Sequence, residues 1–403
     1  MTPTLAAPAL PKSPRSRKKQ LITEAIVVAV IALILLFVMP WIFAQAGQGV
    51  RVNQLGRFLA LAIAALGIDL IWGYTGLLSL GHGLFFALGG YALAMYLQLQ
   101  PLPGQTEVPI PEFFTLYGVD KLPWFWEPFY SFPFTLAAIV VIPGLVAAAF
   151  GYLIFRNRIK GVYFSILTQA ALIVFFNFFN GQQKLINGTN GLKTDTATIF
   201  GVLVGSPPVQ TTFYALSILF VIVGYVLCRW LTSGRMGRML VAIRDDETRV
   251  RFSGYNPTGY KVFVFAISAI LAGIAGALFT VQSGIITPSS SMSVAFSIEM
   301  VIWVAVGGRG TLIGAVLGTL IVNFAKTLLS EQFPAFWLFF QGALFLIVVT
   351  VLPMGILGWF RTTGWKFIQG RFGPQPIETY PSLELDPEVE YERETIEHQQ
   401  SDR

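Results

Sequence analysis

Long apolar runs alternate with short polar breaks along almost the whole chain. The runs fall near 22–43, 54–72, 83–99, 133–155, 161–179, 212–231, 261–283, 294–308, 311–329 and 335–353. Most approach the roughly 20 apolar residues that a helix needs to cross a bilayer. Backbone groups in lipid must be satisfied within the segment, so runs of this length fold as helices. The pattern predicts an all-α polytopic membrane protein with about ten transmembrane helices. Two stretches depart from it. Glycines at 73, 76, 81, 83, 89 and 90 are too frequent for one continuous helix and predict a broken or re-entrant element. The run at 294–311 is short and is interrupted by Gly307-Gly308-Arg309-Gly310, and interrupted helices often line transport paths. Gly310, Gly314 and Gly318 then recur every four residues, a small-residue face for close helix packing.

One polar stretch, residues 232–260, lies between two apolar runs and is too charged for hydrocarbon. It carries Arg235, Arg238, Arg244, Arg249 and Arg251, the basic excess of a cytoplasmic loop. Met236, Leu240, Ile243 and Val250 form an apolar stripe at helical spacing. Asp245–Arg249 and Glu247–Arg251 are i,i+4 pairs with the acid first, the favourable order. Ser233 is placed to cap the start, and Gly254 followed by Pro257 to stop the helix. An amphipathic helix of this kind offers a surface to a soluble partner.

Composition agrees with the membrane reading. The chain is 54% hydrophobic and 12% charged, where soluble domains carry about 25% charged residues. The net charge of +6 needs no nucleic acid. Arg15, Arg17, Lys18 and Lys19, then Arg156, Arg158 and Lys160, then Arg361, Lys366 and Arg371 all flank apolar runs on alternate sides. The positive-inside rule then places both termini in the cytoplasm. Loop 100–132, with Glu107, Glu112, Asp120 and Glu127 against Lys121, suits the outer face. Residues 1–20 read as a disordered basic tail, 21–357 as the membrane domain and 358–403 as a largely disordered acidic cytoplasmic tail. Ala44-Gln45-Ala46 resembles a signal-peptidase site, but the run before it exceeds the usual 7–15-residue signal core, which favours an anchored span. A single cysteine, Cys228, and two histidines, His82 and His398, exclude an internal disulfide and give no basis for a metal or other cofactor. No G-x-x-x-x-G-K-[ST] occurs, so the chain has no phosphate-cradling loop of its own.

Three sets of polar positions are candidates for handling a solute. Ser79, Gly81, His82 and Gly83 fall in the glycine-broken stretch, where backbone and hydroxyl groups are free to bond a small polar molecule. Ser79 and His82 as a hydrolytic pair is a weak alternative, because no Gly-x-Ser-x-Gly elbow or orienting acid accompanies them. The stretch 180–192, with Asn187, Thr189 and Asn190, is dense in amides that match a neutral amide solute, and equally in turn-forming Asn-Gly steps. Asp69 and Glu299 lie within apolar runs, where an acid faces a cavity or a partner. An ion-coupled secondary transporter would use these two acids.

Ser233-Gly-Arg-Met-Gly-Arg-Met-Leu-Val-Ala-Ile-Arg-Asp-Asp-Glu247 with Gly254 resembles the coupling loop of ABC importer permeases for branched-chain amino acids and urea. Gly76-Leu-Leu-Ser-Leu-Gly-His-Gly-Leu-Phe-Phe86 resembles that family's signature, and Gly181-Gln-Gln183, Gly188-Thr-Asn-Gly-Leu192 and Ser297–Thr311 look closest to its urea-type subunit. The resemblance spans about 50–357. It implies a permease subunit that hydrolyses no ATP itself and moves urea or short amides. Branched-chain amino acids are the alternative substrate. The implied partners are a second homologous permease, two ATP-binding subunits and an extracytoplasmic solute-binding protein. By the same resemblance Arg238, Arg244, Glu247 and Gly254 couple the chain to the ATPase; the candidates for the path are the polar positions above, Ser79, Gly81, His82, Gly83, Asn187, Thr189, Asn190 and Glu299.

Overall fold

The computed structural model describes residues 30–45, 49–102, 110–119, 121–333 and 355–359, with scattered positions at 26, 28, 47 and between 336 and 350. Nine helices carry the argument: α1 Val50–Thr75, α2 His82–Gln98, α3 Phe132–Arg156, α4 Val162–Gly181, α5 Pro207–Ser233, α6 Arg235–Phe252, α7 Pro257–Ser283, α8 Val294–Gly307 and α9 Leu312–Gln332. Among the described residues the strands form two short antiparallel pairings: the distant β1 Leu192–Lys193 and β4 Ile285–Ile286, and the hairpin of β2 Thr198–Ile199 with β3 Val202–Leu203. The protein is an all-α polytopic membrane protein.

Seven helices among the described residues are long and apolar enough to span, against about ten expected. One of the seven, Pro288–Gly307, is interrupted just before α8. Helix α2 has 17 residues and rises roughly 25 Å. The span expected at 22–43 is seen in part as an apolar helix at Val30–Phe43, which widens to a π-helical turn at Ile34–Val38. Pro40 follows that turn and cannot bond back into a regular ladder, which accounts for the widening. The span at 335–353 and the two tails lie mostly or wholly outside the described residues.

Helix α7 is the hub, packing most extensively on α1, α2 and α3, while α1 also packs on α5 and α9. Helix α2 is buried all round except at Leu88 and Gln98, the mark of a helix inside a bundle rather than at its surface. Helix α4 is the opposite: Val162, Tyr163, Ile166, Val174 and Phe178 are exposed, as on a lipid-facing wall. The small-residue face expected after Gly310 is present: a Cβ at Gly314 or Gly318 would collide with the backbone of Gly307 on α8.

Two connections double back into the bundle, one from each end. Helix α1 ends at Gly76, whose left-handed φ of 74° a side chain would strain, and residues 76–81 are non-helical. They return alongside α1, because α2 begins at His82 and its imidazole meets Ser268, about three turns or 16 Å into α7. From the other end, α7 stops at Gly284 (φ 76°), and 284–293 folds inward through β4 and the short helix Pro288–Ser291. Ser293 caps α8 by accepting the Phe296 N–H at 3.2 Å. The two connections meet where Gly83 donates to Ser297 Oγ at 3.2 Å, with the Ser291 carbonyl beside it. The broken element expected from the glycines at 73–90 is this re-entry, and 284–293 provides a second one.

Candidate functional site: a clamped helix and a re-entrant path

Helix α6 is two helices joined at a corner. Asp246 sits at φ −155°, ψ 95°, outside helical space, and its Oδ1 accepts the backbone N–H groups of Thr248 (2.9 Å) and Arg249 (3.1 Å). It is an N-cap in the middle of the predicted continuous helix. The corner changes the expected pairs. Arg249 lies 3.6 Å from Asp246, and Asp245 takes Arg244 at 3.2 Å, whereas Glu247–Arg251 forms as expected at 2.6 Å. Gly234, not Ser233, occupies the N-cap, and the Ser233 hydroxyl turns back to the Trp230 carbonyl. Leu240, Ile243 and Val250 of the apolar stripe are buried, and Met236 is partly so.

The four expected coupling residues divide into two kinds. Arg238 is exposed, and Gly254 (φ 84°) is exposed at the turn that ends α6. Arg244 reaches inward: its Nη1 donates to the Gly73 carbonyl at 3.0 Å, a cation at the C-terminal end of α1 where the helix dipole favours one. Glu247 is buried at 7% exposure and receives three cations. Arg251 binds Oε1 at 2.6 Å, Lys261 of α7 binds Oε2 at 2.6 Å, and Lys160 of the α3–α4 turn lies 3.3 Å away. Burial alone would raise the Glu247 pKa, but the hydrogen bonds from Lys261 and Arg251, with the charges of Lys261 and Lys160, bring it down to about 2. This one carboxylate therefore ties α6 to α7 and to the turn between α3 and α4. Phe252, 89% exposed at the end of α6, escaped the sequence reading because its surroundings there are polar.

The re-entrant residues are held by hydroxyls from three helices. Ser165 of α4 donates to the Leu78 carbonyl at 2.6 Å, and Thr168 accepts the Leu80 N–H at 3.1 Å. Ser79 is buried and its Oγ accepts the Gly81 N–H at 3.4 Å. A Cβ on Gly81 would run into the Thr168 carbonyl. His82 Nε2 lies 2.6 Å from Ser268 Oγ, and that hydroxyl donates to the Gly67 carbonyl at 2.6 Å. With the serine proton already committed, the imidazole donates from Nε2, and the buried Nδ1 is left without a partner. Ser79 and His82 do not face each other as a nucleophile and base would. Ser165, Thr168, Ser268 and Ser297 were missed, although Ser165 and Thr168 already stand three apart inside an apolar run.

The intramembrane acids have structural partners. Asp69 Oδ1 accepts the Gly310 N–H at 2.6 Å, which holds the α8–α9 turn, and Arg309 of that turn stacks 5.4 Å over the Trp72 ring. Glu299 receives Lys326 Nζ from α9 at 2.7 and 2.8 Å. In the loop 180–192, Asn187 Nδ2 bonds the Gly191 carbonyl at 2.7 Å and Gln183 Nε2 bonds Thr189 at 2.8 Å. Thr189 and Asn190 are exposed, and Asn187 and Asn190 line a cavity of about 470 Å³ with Lys193. The expected path residues thus fall in three places: Ser79–Gly83 inside the bundle, Asn187–Asn190 at the end away from α6, and Glu299 on α8, where it is paired with Lys326.

These features define a helical membrane protein with a charged helix outside its bundle and a re-entrant segment within it. Residues 50–349 match the family described as branched-chain amino acid transport system / permease component, and the chain belongs to that family. Among its relatives, the high-affinity branched-chain amino acid transport system permease protein LivM of Salmonella typhimurium is 26% identical over 318 residues, covering 73% of this chain and 67% of the relative. Permease protein BraD of Pseudomonas aeruginosa, from a system of the same description, is 24% identical over 339 residues, covering 79% and 98%. The ribose import permease protein RbsC of Haemophilus influenzae is 24% identical over 235 residues, covering 55% and 68%. No solved structure matches the chain. The chain is a multi-pass permease subunit of an ABC-type system and not an enzyme.

Proposed function

We propose that the chain carries branched-chain amino acids into the cytoplasm as one permease of an ABC importer, with α6 as the docking helix for an ATP-binding subunit. The family and the names of its relatives support amino acids over the urea or short amides expected from the sequence. A second permease, two ATP-binding subunits and a solute-binding protein complete the assembly, as the family implies. The α6 end then faces the cytoplasm, as the positive-inside charges require, with both termini on that side.

The observation that carries this reading is the double-sided use of α6. Its outer face offers Arg238, Arg249 and Phe252 to a partner, and its inner face is wired to the bundle. A push on α6 passes through Arg244 to the end of α1, where the re-entrant 76–81 begins. It passes through Glu247 to Lys261 of α7 and Lys160 before α4. Because α1, α7 and α4 also hold Ser79–Gly83, movement of these helices opens or closes the path beside them, which is alternating access.

The test is uptake of labelled leucine, urea and ribose by the assembled importer in vesicles, with and without internal ATP. ATP-dependent leucine uptake is expected. Phe252→Ala with Arg238→Ala should cut it about tenfold while the chain stays in the membrane, the scale of losing one docking hot spot. ATP-dependent urea uptake without leucine uptake would restore the amide reading. Leucine uptake that survives ATP depletion and collapses with the ion gradient would point instead to an ion-coupled transporter using Asp69 and Glu299.

A further inference from the structure

The end away from α6 holds a pocket of about 360 Å³ where the starts of α1 and α5 meet the end of α7. Its wall is polar: Asn53, Lys193, Asp195, Gln210 and Gln282 line it, and Ile285 is its one large apolar residue. Lys193 and Asp195 are exposed, of opposite charge, and among the described residues neither forms an ion pair. One Asp195 oxygen accepts the Thr196 N–H at 3.0 Å, and Lys193 is held through its carbonyl, which accepts from Gln98.

Two glutamines brace the wall. Gln210 Nε2 donates to the carbonyls of Val204 (2.9 Å) and Val281 (3.1 Å). Gln282 Nε2 donates to Ser217 Oγ (2.7 Å) and the Phe213 carbonyl (3.3 Å). Both side chains are more than nine-tenths buried, and their Oε1 atoms are shut off from solvent, so they hold α5 and α7 together and do not face a ligand. The exposed carboxylate of Asp195 and ammonium of Lys193, neither in an ion pair among the described residues, border one small pocket and suit a group that carries a cation and an anion side by side.

We propose that this pocket is the entry subsite for the charged head of an α-amino acid. Asp195 takes the α-ammonium and Lys193 takes the α-carboxylate. The side chain is left outside, because Ile285 is the one large apolar residue on the wall. The subsite therefore reads the head group common to amino acids and leaves discrimination among side chains to other parts of the system. It deepens the amino acid reading and rests on it, since neutral urea would have no use for Lys193.

The test measures leucine moved per ATP hydrolysed by the complete importer, with leucine-loaded binding protein in excess. Asp195→Asn and Lys193→Gln are each expected to lower that ratio about tenfold while stimulated ATP hydrolysis persists. An unchanged ratio in Asp195→Asn and Lys193→Gln overturns the subsite while leaving the amino acid reading intact. Parallel loss of transport and ATP hydrolysis also overturns it, because that is the signature of a structural defect. A wild-type complex that hydrolyses ATP but moves no leucine overturns the amino acid reading and the subsite with it.

Discussion

The two re-entrant connections leave their helices in the same way and end differently. Each follows a long helix, turns through a glycine with φ near 75° and heads back into the bundle. At the α6 end, 76–81 is bonded along its length by Ser165, Thr168 and its own Ser79, and it is backed by Arg244 and the Glu247 cluster. At the other end, 284–293 is held by the pairing of β4 with β1 and by the Thr287–Ser290 capping box, but its start borders a cavity lined by Lys193 and Asp195, neither in an ion pair among the described residues. One end is packed shut and the other borders open space. In the proposed function the first faces the driving partner and the second the side that supplies solute. The lock at the α6 end centres on a buried carboxylate, whereas Lys193 and Asp195 are exposed.

The largest effect should come from the buried lock. Glu247→Gln leaves Lys261, whose side chain is only 5% exposed, without its counter-charge. Removing one partner of a buried pair costs about 3–5 kcal/mol, so the melting temperature in detergent should fall sharply and transport should fail with it. Asp195→Asn at the open end removes an exposed charge and should shift stability by less than about 0.5 kcal/mol. Equal losses from the two substitutions would erase the contrast.

A pair of glycine substitutions gives a finer comparison. Gly81→Ala drives a methyl into the Thr168 carbonyl, a backbone atom that cannot swing aside, and overpacking of this kind costs about 1–3 kcal/mol. Gly284→Ala meets Asp195 Cβ at 3.1 Å and carries the strain of a left-handed φ of 76°, about 1–2 kcal/mol. Thermal unfolding of both variants should rank Gly81 as the costlier, and uptake should fall further for Gly81→Ala because the path itself shifts.

Much of this architecture was legible in the sequence. Apolar run length gave the spans, and the density of glycines at 73–90 gave the broken element, because both are local properties. The second re-entry at 284–293 was not read, since only Gly284 and the Thr-Pro step mark it and the rest looks like an ordinary turn. The corner in α6 was missed for a similar reason: Asp246 is polar in a polar stretch, and only its backbone angles reveal a cap. Asp69 and Glu299 were recognised as costly intramembrane acids, but their partners are a backbone N–H 241 residues away and Lys326 on the next helix but one from α7. Pairings over such separations leave no local pattern.

The smallest effect is the dependence of the lock on pH, and its sign is fixed. The Glu247 carboxyl titrates near 4.5 when unfolded and at about 2 in the folded protein, because the bonds from Lys261 and Arg251 outweigh the cost of burial. A depressed pKa means that the folded state releases its proton first. The stabilisation is therefore complete above pH 4.5, shrinks as pH falls between 4.5 and about 2, and is absent below. Near neutrality the contribution of this residue should be flat, so unfolding temperatures measured from pH 8 to 5 should not reveal it. A decline should begin below about pH 4, and Glu247→Gln should remove that part of the decline while leaving the rest of the acid response. If the variant and the parent lose stability in parallel through that window, the clamp at the α6 end is not held by this carboxylate.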